Sequence, residues 1–163
     1  FATLSPIPGF RAWLQRKLDE PGKEVEAELL TGSERKALAA AAGTGAEPVS
    51  LKTLLQGRWN EKPELAKALK TPLQRLCARY LSKEKREGHS TALDRVAHFH
   101  LSNGARIERL NWLADTSAKG MEQSAGLMVN YLYKLDDIEA NHEAYRGEGK
   151  VTTSSTLRSL LKG

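Results

Sequence analysis

The spacing of apolar residues changes once along this chain, near residue 88, and that change limits the folds open to it. Before it, apolar side chains recur at helical intervals. Phe10, Trp13, Leu14 and Leu18 in "GFRAWLQRKLDE" share one helix face, and "PGKE" at 21–24 breaks that helix. "TGSERKALAAAAG" reads as an alanine-rich helix with a serine cap beside Glu34 and a stop at Gly43. "EPVSLKTLLQGRW" starts a short helix near Ser50. In "KPELAKALKTPLQRLCARYLSKEK", Pro72 marks a kink or a junction of two helices. Residues 9–85 are thus expected to be nearly all helix. After residue 88 the chain alternates more than it repeats at 3.6. Asn103-Gly104 is a strong hairpin signal because both residues accept positive φ. Strands are expected at about 94–101 and 106–113. "DTSAKGMEQSAGLMVNYLYKLDD" reads as one helix over 115–137, "EANHEAYRGEGKVTTSS" as a polar loop with a short strand, and "STLRSLLKG" as a last short helix.

With 163 residues, 40% hydrophobic and 28% charged, the chain has room for one domain with a real core. No apolar run approaches the roughly 20 residues that span a bilayer, so no membrane partner is expected. Cys77 is the single cysteine. It can make no internal disulfide, which fits a reducing, cytoplasmic setting, and its flanks read as helix around a packed thiol. A net charge of +5 favours an anionic partner. The basic residues are spread out, and "LSKEKREGH" at 81–89 reads as the solvated end of a helix. No nucleic-acid motif accompanies it. The opening "FATLSPIPGF" lacks an initiator methionine, and the expectation is a piece of a longer polypeptide holding part of a site.

Three places hold residues suited to chemistry. His98 and His100 would share a face on a strand. They read as a metal pair lacking a third ligand, as packing residues, or as one working acid–base histidine and a bystander. Ser5 sits in a turn stiffened by Pro6 and Pro8, where it caps the following helix or donates to a ligand oxygen. It lies outside any Gly-x-Ser-x-Gly elbow. Tyr131 and Tyr133 cannot share a helix face; such a tyrosine reads as a buried one with its hydroxyl satisfied, or as one whose hydroxyl is aimed into a cleft.

Together, "FATLSPIPGF", "TPLQRLCARYL", "HFHLSNGARIERLNWLAD" and "GMEQSAGLMVNYLY" resemble, in that order, the C-terminal catalytic region of the malonyl-CoA decarboxylase family. The resemblance covers nearly the whole chain. It implies an α+β fold: the C-terminal part of a GNAT acetyltransferase-like mixed sheet with a large helical insertion at about 9–87. A hairpin and helix at 92–137 and a tail at 138–163 would complete it. The upstream helical domain, the first half of the catalytic domain and a site glutamate would lie outside this chain. The implied reaction is decarboxylation of malonyl-CoA to acetyl-CoA and CO2, with no metal and no organic cofactor, CoA being part of the substrate. By motif, the family's serine falls on Ser5, its histidine on His100 and its tyrosine on Tyr133. Ser5 and Tyr133 would also bind substrate, and His98 becomes a neighbour. A homo-oligomer is implied for the full-length protein, and no nucleic-acid partner. The alternatives are an acyl-CoA acyltransferase of the same fold and a basic helical binding module.

Overall fold

A computed structural model describes residues 1–21, 25–43 and 49–162. In chain order it contains β1 (Ala2–Ser5), α1 (Phe10–Leu18), α2 (Val25–Leu29), α3 (Gly32–Ala42), α4 (Leu51–Gln56) and α5 (Pro63–Ser82). There follow α6 (Arg95–Ser102), β2 (Arg106–Asn111), α7 (Ala118–Ser124), β3 (Met128–Leu132), α8 (Ile138–Glu148) and α9 (Ser155–Lys162). The chain divides into two compact units, Leu14–Leu76 and Phe1–Trp13 with Cys77–Gly163.

The unit at 14–76 is helical in its described residues. Leu29, Leu38, Leu51, Trp59, Leu69 and Leu73 are buried there. The cap of α3 is Thr31, not the expected serine. Thr31 Oγ1 accepts from Glu34 N–H at 3.1 Å while Glu34 Oε1 accepts from Thr31 N–H at 2.9 Å. A capping box needs its carboxylate three residues after the cap, and only Thr31 stands three before Glu34. Gly43 ends α3 at φ 76°, and Ser50 caps α4, as the sequence indicates. The α5 helix continues through Pro72, so no junction of two helices forms there. Residues 22–24 of the expected "PGKE" break, and 44–48 at the start of "EPVSLKT", lie outside the described residues.

The other unit is built on a three-stranded antiparallel sheet of order β1-β3-β2. Val129 and Tyr131 of the central strand face the core. Ser5 and Thr3 lie opposite them on β1, and Leu110 and Ile107 on β2. Ile107 and Leu110 are three residues apart and would point to opposite faces of a regular strand. A register shift between Ile107 and Arg109 turns both inward, because one extra residue in a strand inverts the alternation beyond it.

Four expectations fail here, the first three for a local reason. The expected strand at 94–101 is α6. Asp94 caps it, and the buried Ala97, His100 and Leu101 recur at intervals of three and four. Asn103-Gly104 therefore makes no hairpin. Gly104, at φ 89°, turns the chain off the end of the helix, and Ala105 N–H donates back to His100 O at 3.1 Å. Positive φ serves helix ends as well as hairpins, and the dipeptide does not say which. The single helix expected over 115–137 is α7 followed by β3. Ala125 and Gly126, at φ 53° and 79°, stop the helix, and the core side chains then alternate as on a strand. The loop expected after 138 is largely α8, with Thr153 making one bridge to Ile107. The strand expected at 106–113 forms over Arg106–Asn111, and the last short helix forms as α9.

Candidate active site

His100 sits in the last turn of α6, and both of its ring nitrogens are engaged. Nε2 lies 3.2 Å from Ser5 Oγ, and Nδ1 lies 2.5 Å from Tyr133 Oη. These residues are 95 and 33 positions away in the chain. Ser5 ends β1, and Tyr133 immediately follows β3, two residues beyond Tyr131 and on the same side. The antiparallel pairing of β1 with β3 brings both hydroxyls to His100 of α6. Ser5 does not cap α1. Its hydroxyl is 5% exposed and pairs with Thr3 Oγ1 at 3.0 Å as well as with His100.

His100 is 9% exposed, and its imidazole lies on the Tyr131 ring, 21° from parallel, with centroids 4.4 Å apart. Burial lowers the His100 pKa below its ordinary value, because a charged ring loses solvation there. The resting ring is therefore neutral at pH 7, with one N–H to give and one lone pair to receive. One of the two hydroxyls then donates to the ring and the other accepts from it. Burial also pushes the Tyr133 hydroxyl up, so it rests protonated. Thr3, Ser5, His100 and Tyr133 thus form a continuous run of groups that can pass a proton by exchanging donor and acceptor roles.

His98 takes no part in that run. Positions two apart on a helix point in widely different directions, so the shared face expected of a strand is lost. His98 Nδ1 instead meets Tyr145 Oη at 2.7 Å, and that oxygen also accepts from Ala92 N–H at 2.8 Å. No group of three or more His, Cys, Asp or Glu placed to hold a metal occurs among the described residues. Cys77 is buried in α5, where desolvation pushes its thiol well up, so it rests as a packed thiol.

Thr3 and Tyr131 are the parts of the site that sequence reasoning missed. Each stands two residues before a recognised site residue, at the spacing that shares a strand face. For Thr3 the signal appears only with β1 recognised as a strand. For Tyr131 it was hidden by the helical reading of 115–137.

A neutral imidazole held between a serine and a tyrosine hydroxyl, on a mixed α+β frame, is chemically able to give and take a proton. The family model for the malonyl-CoA decarboxylase C-terminal domain matches residues 1–163. The chain belongs to that family. It is 48% identical over 165 residues to the mitochondrial malonyl-CoA decarboxylase of Rattus norvegicus, covering 99% of this chain and 32% of the relative. It is 43% identical to the mitochondrial malonyl-CoA decarboxylase of Anser anser anser over 162 residues, 99% of this chain and 32% of that protein. Among solved structures, malonyl-CoA decarboxylase from Rhodopseudomonas palustris superposes with a TM-score of 0.79 at 43% identity, over 98% of this chain and 32% of that one. The enzyme of the same name from Agrobacterium vitis superposes at 0.77 and 39% identity, over 99% of this chain and 35% of that one. The chain thus spans about a third of the length of the curated relatives it matches.

Proposed function

We propose that this chain carries the acid–base centre of a malonyl-CoA decarboxylase, converting malonyl-CoA to acetyl-CoA and CO2. The observation that carries the reading is the meeting of Ser5, His100 and Tyr133 in one hydrogen-bonded run, in a chain of that family. The carbon–carbon bond to the carboxylate breaks, CO2 leaves, and the electron pair passes to the α-carbon and into the thioester oxygen. A new carbon–hydrogen bond then forms with a proton from the site, which solvent replaces. His100 supplies that proton, directly or through the hydroxyl it holds. Ser5 donates to the malonyl carboxylate or the thioester oxygen, and Tyr133 fixes the same end of the substrate. A preorganised donor aimed at a developing oxyanion contributes ~3–4 kcal/mol, and a positioned acid roughly 10²–10⁴ in rate.

The same reading takes the sheet as the C-terminal part of a larger GNAT-like sheet, with the helices of 9–87 inserted into it. The position of β1 at the sheet edge, with Leu4 exposed, supports this. It further proposes a homo-oligomer, a reaction needing no metal or organic cofactor, and a cytoplasmic home. Light scattering and cell fractionation test the first and last of these.

The central test is His100→Asn in the intact protein, with acetyl-CoA release from malonyl-CoA as the readout. A fall of about 10²-fold or more is expected. Activity within about threefold of wild type rejects the assignment. Supplying malonyl-CoA without any acceptor separates decarboxylation from acyl transfer, since only the former yields product.

A further inference from the structure

Asp94 is a buried carboxylate that the proposed chemistry does not use. It is 2% exposed, and a carboxylate so placed is retained only where hydrogen bonds replace its lost water. Its oxygens reach three segments of the chain. Oδ2 accepts from Ala97 N–H at 2.9 Å, so Asp94 caps α6. Oδ1 accepts from the Tyr80 hydroxyl, near the end of α5, at 3.0 Å. The backbone of Gly9, just ahead of α1, favours the charged form of the same carboxylate, and a Cβ on it would stand 3.7 Å from Oδ1. The Tyr80 ring packs against Phe10 and Trp13, with centroids 5.9 and 5.4 Å away. A Cβ on Gly9 would fall 2.2 Å from Tyr80 Oη, so glycine lets the backbone pass this close to the hydroxyl that Asp94 holds.

Both proton-handling segments leave from this point. Gly9 is four residues past Ser5, and Pro6 and Pro8 between them have locked φ angles. The placement of Gly9 is therefore transmitted to Ser5 with little slack. His100 is six residues past Asp94 along one helix, whose hydrogen bonds keep that distance constant. The Ser5–His100 separation of 3.2 Å is already at the long end of hydrogen-bonding range. A few tenths of an ångström of slip between the two segments would break it.

We propose that Asp94 is a positioning residue for the Ser5–His100 pair. Its carboxylate ties the turn behind Ser5 to the cap of the helix bearing His100, and so keeps hydroxyl and imidazole within reach. The catalytic consequence rests on the decarboxylase reading; the geometric claim does not.

Asp94→Asn in the intact protein is the test. Asparagine caps a helix about as well as aspartate, but it carries no charge for the Gly9 backbone to favour. Nitrogen-15 NMR of the His100 ring and steady-state kinetics with malonyl-CoA are the two readouts. The expected result is a mixture of ring tautomers, a titration midpoint moved toward the ordinary value of about 6.5, and kcat lowered roughly tenfold to a hundredfold with KM within about twofold. Unchanged ring signals with kcat within about twofold of wild type overturn the proposal. Failure of the decarboxylase reading is seen separately, as wild-type protein that releases no acetyl-CoA, and the ring signals still decide the geometric claim. Should Asp94→Asn not fold, Gly9→Ala pushes the turn off the carboxylate and is expected to give the same ring and kcat changes. Adding Tyr80→Phe removes the obstructing oxygen and is expected to bring both back toward wild type. Gly9→Ala with ring signals and kcat unchanged overturns the proposal as well.

Discussion

At the scale of single residues, burial governs how His100 behaves. Its pKa lies below the ordinary value because the charged ring would lose solvation, and His98 is lowered for the same first reason, with Arg86 and Arg146 adding to it. The consequence for stability has a definite sign. As pH falls from 7 through about 6.5, unfolded histidines bind protons that the folded ones still refuse. The unfolded state gains, so stability is expected to drop across that window and level off below the folded pKa values. Denaturant midpoints measured between pH 7.5 and 5.5 check this, and His100→Asn should make the slope shallower. Tyr131 supplies a second expectation. Its hydroxyl is buried without a hydrogen-bond partner among the described residues, a situation that costs roughly 1–3 kcal/mol, while its ring supports the imidazole. Tyr131→Phe should therefore keep the stack and leave stability unchanged or higher by up to about 1 kcal/mol. A loss of more than that on denaturant unfolding would show that the hydroxyl has a partner after all. Much of this level was legible beforehand. Ser5, His100 and Tyr133 came from motifs, and the stiff turn at Pro6 and Pro8 from the chemistry of proline. The stack on Tyr131 was not legible, because the helical reading of 115–137 hid the two-residue spacing that puts Tyr131 and Tyr133 on one side of a strand.

At the scale of elements, chain reversals decided which readings held. Gly104 takes φ 89°, and a Cβ there would fall 2.4 Å from the carbonyl oxygen of Ile138. Gly104→Ala thus meets both backbone strain and a collision with main chain, which cannot move aside like a flexible side chain. A loss of at least about 1–2 kcal/mol is expected on chemical denaturation. A variant as stable as wild type would show that α6 ends differently. The 94–101 segment was misread for a definable reason. Ala97, His100 and Leu101 fit a helix, and Asp94 stands at its cap position, yet Asn103-Gly104 outweighed them as a hairpin signal. Both structures need positive φ at that glycine. The opposite error at 115–137 came from treating Leu127, Met128, Tyr131, Leu132 and Leu135 as a helical stripe. The buried set is Leu127, Val129 and Tyr131, a strict alternation, and Ala125-Gly126 is where the period changes.

At the scale of the whole molecule, the chain forms two compact units, and the candidate site lies within the one that holds the sheet. Leu69 is fully buried in the helical unit. Leu69→Ala should cost about 2–5 kcal/mol through lost burial and the cavity left behind. Denaturant unfolding curves check this, and a variant within about 1 kcal/mol of wild type would show that the neighbours of Leu69 collapse around the smaller side chain. The sequence by itself determined the local matters: where helices start at Ser50 and stop at Gly43, the stiff turn after Ser5, and the order of the motifs. These follow from the dihedral preferences and hydrogen-bonding groups of residues close together in the chain. Only the tertiary structure decided that His100 faces Ser5 and Tyr133 while His98 turns to Tyr145. Which neighbour a side chain meets depends on strand pairing and on the packing of a helix across it, and those contacts join residues that local preferences cannot see.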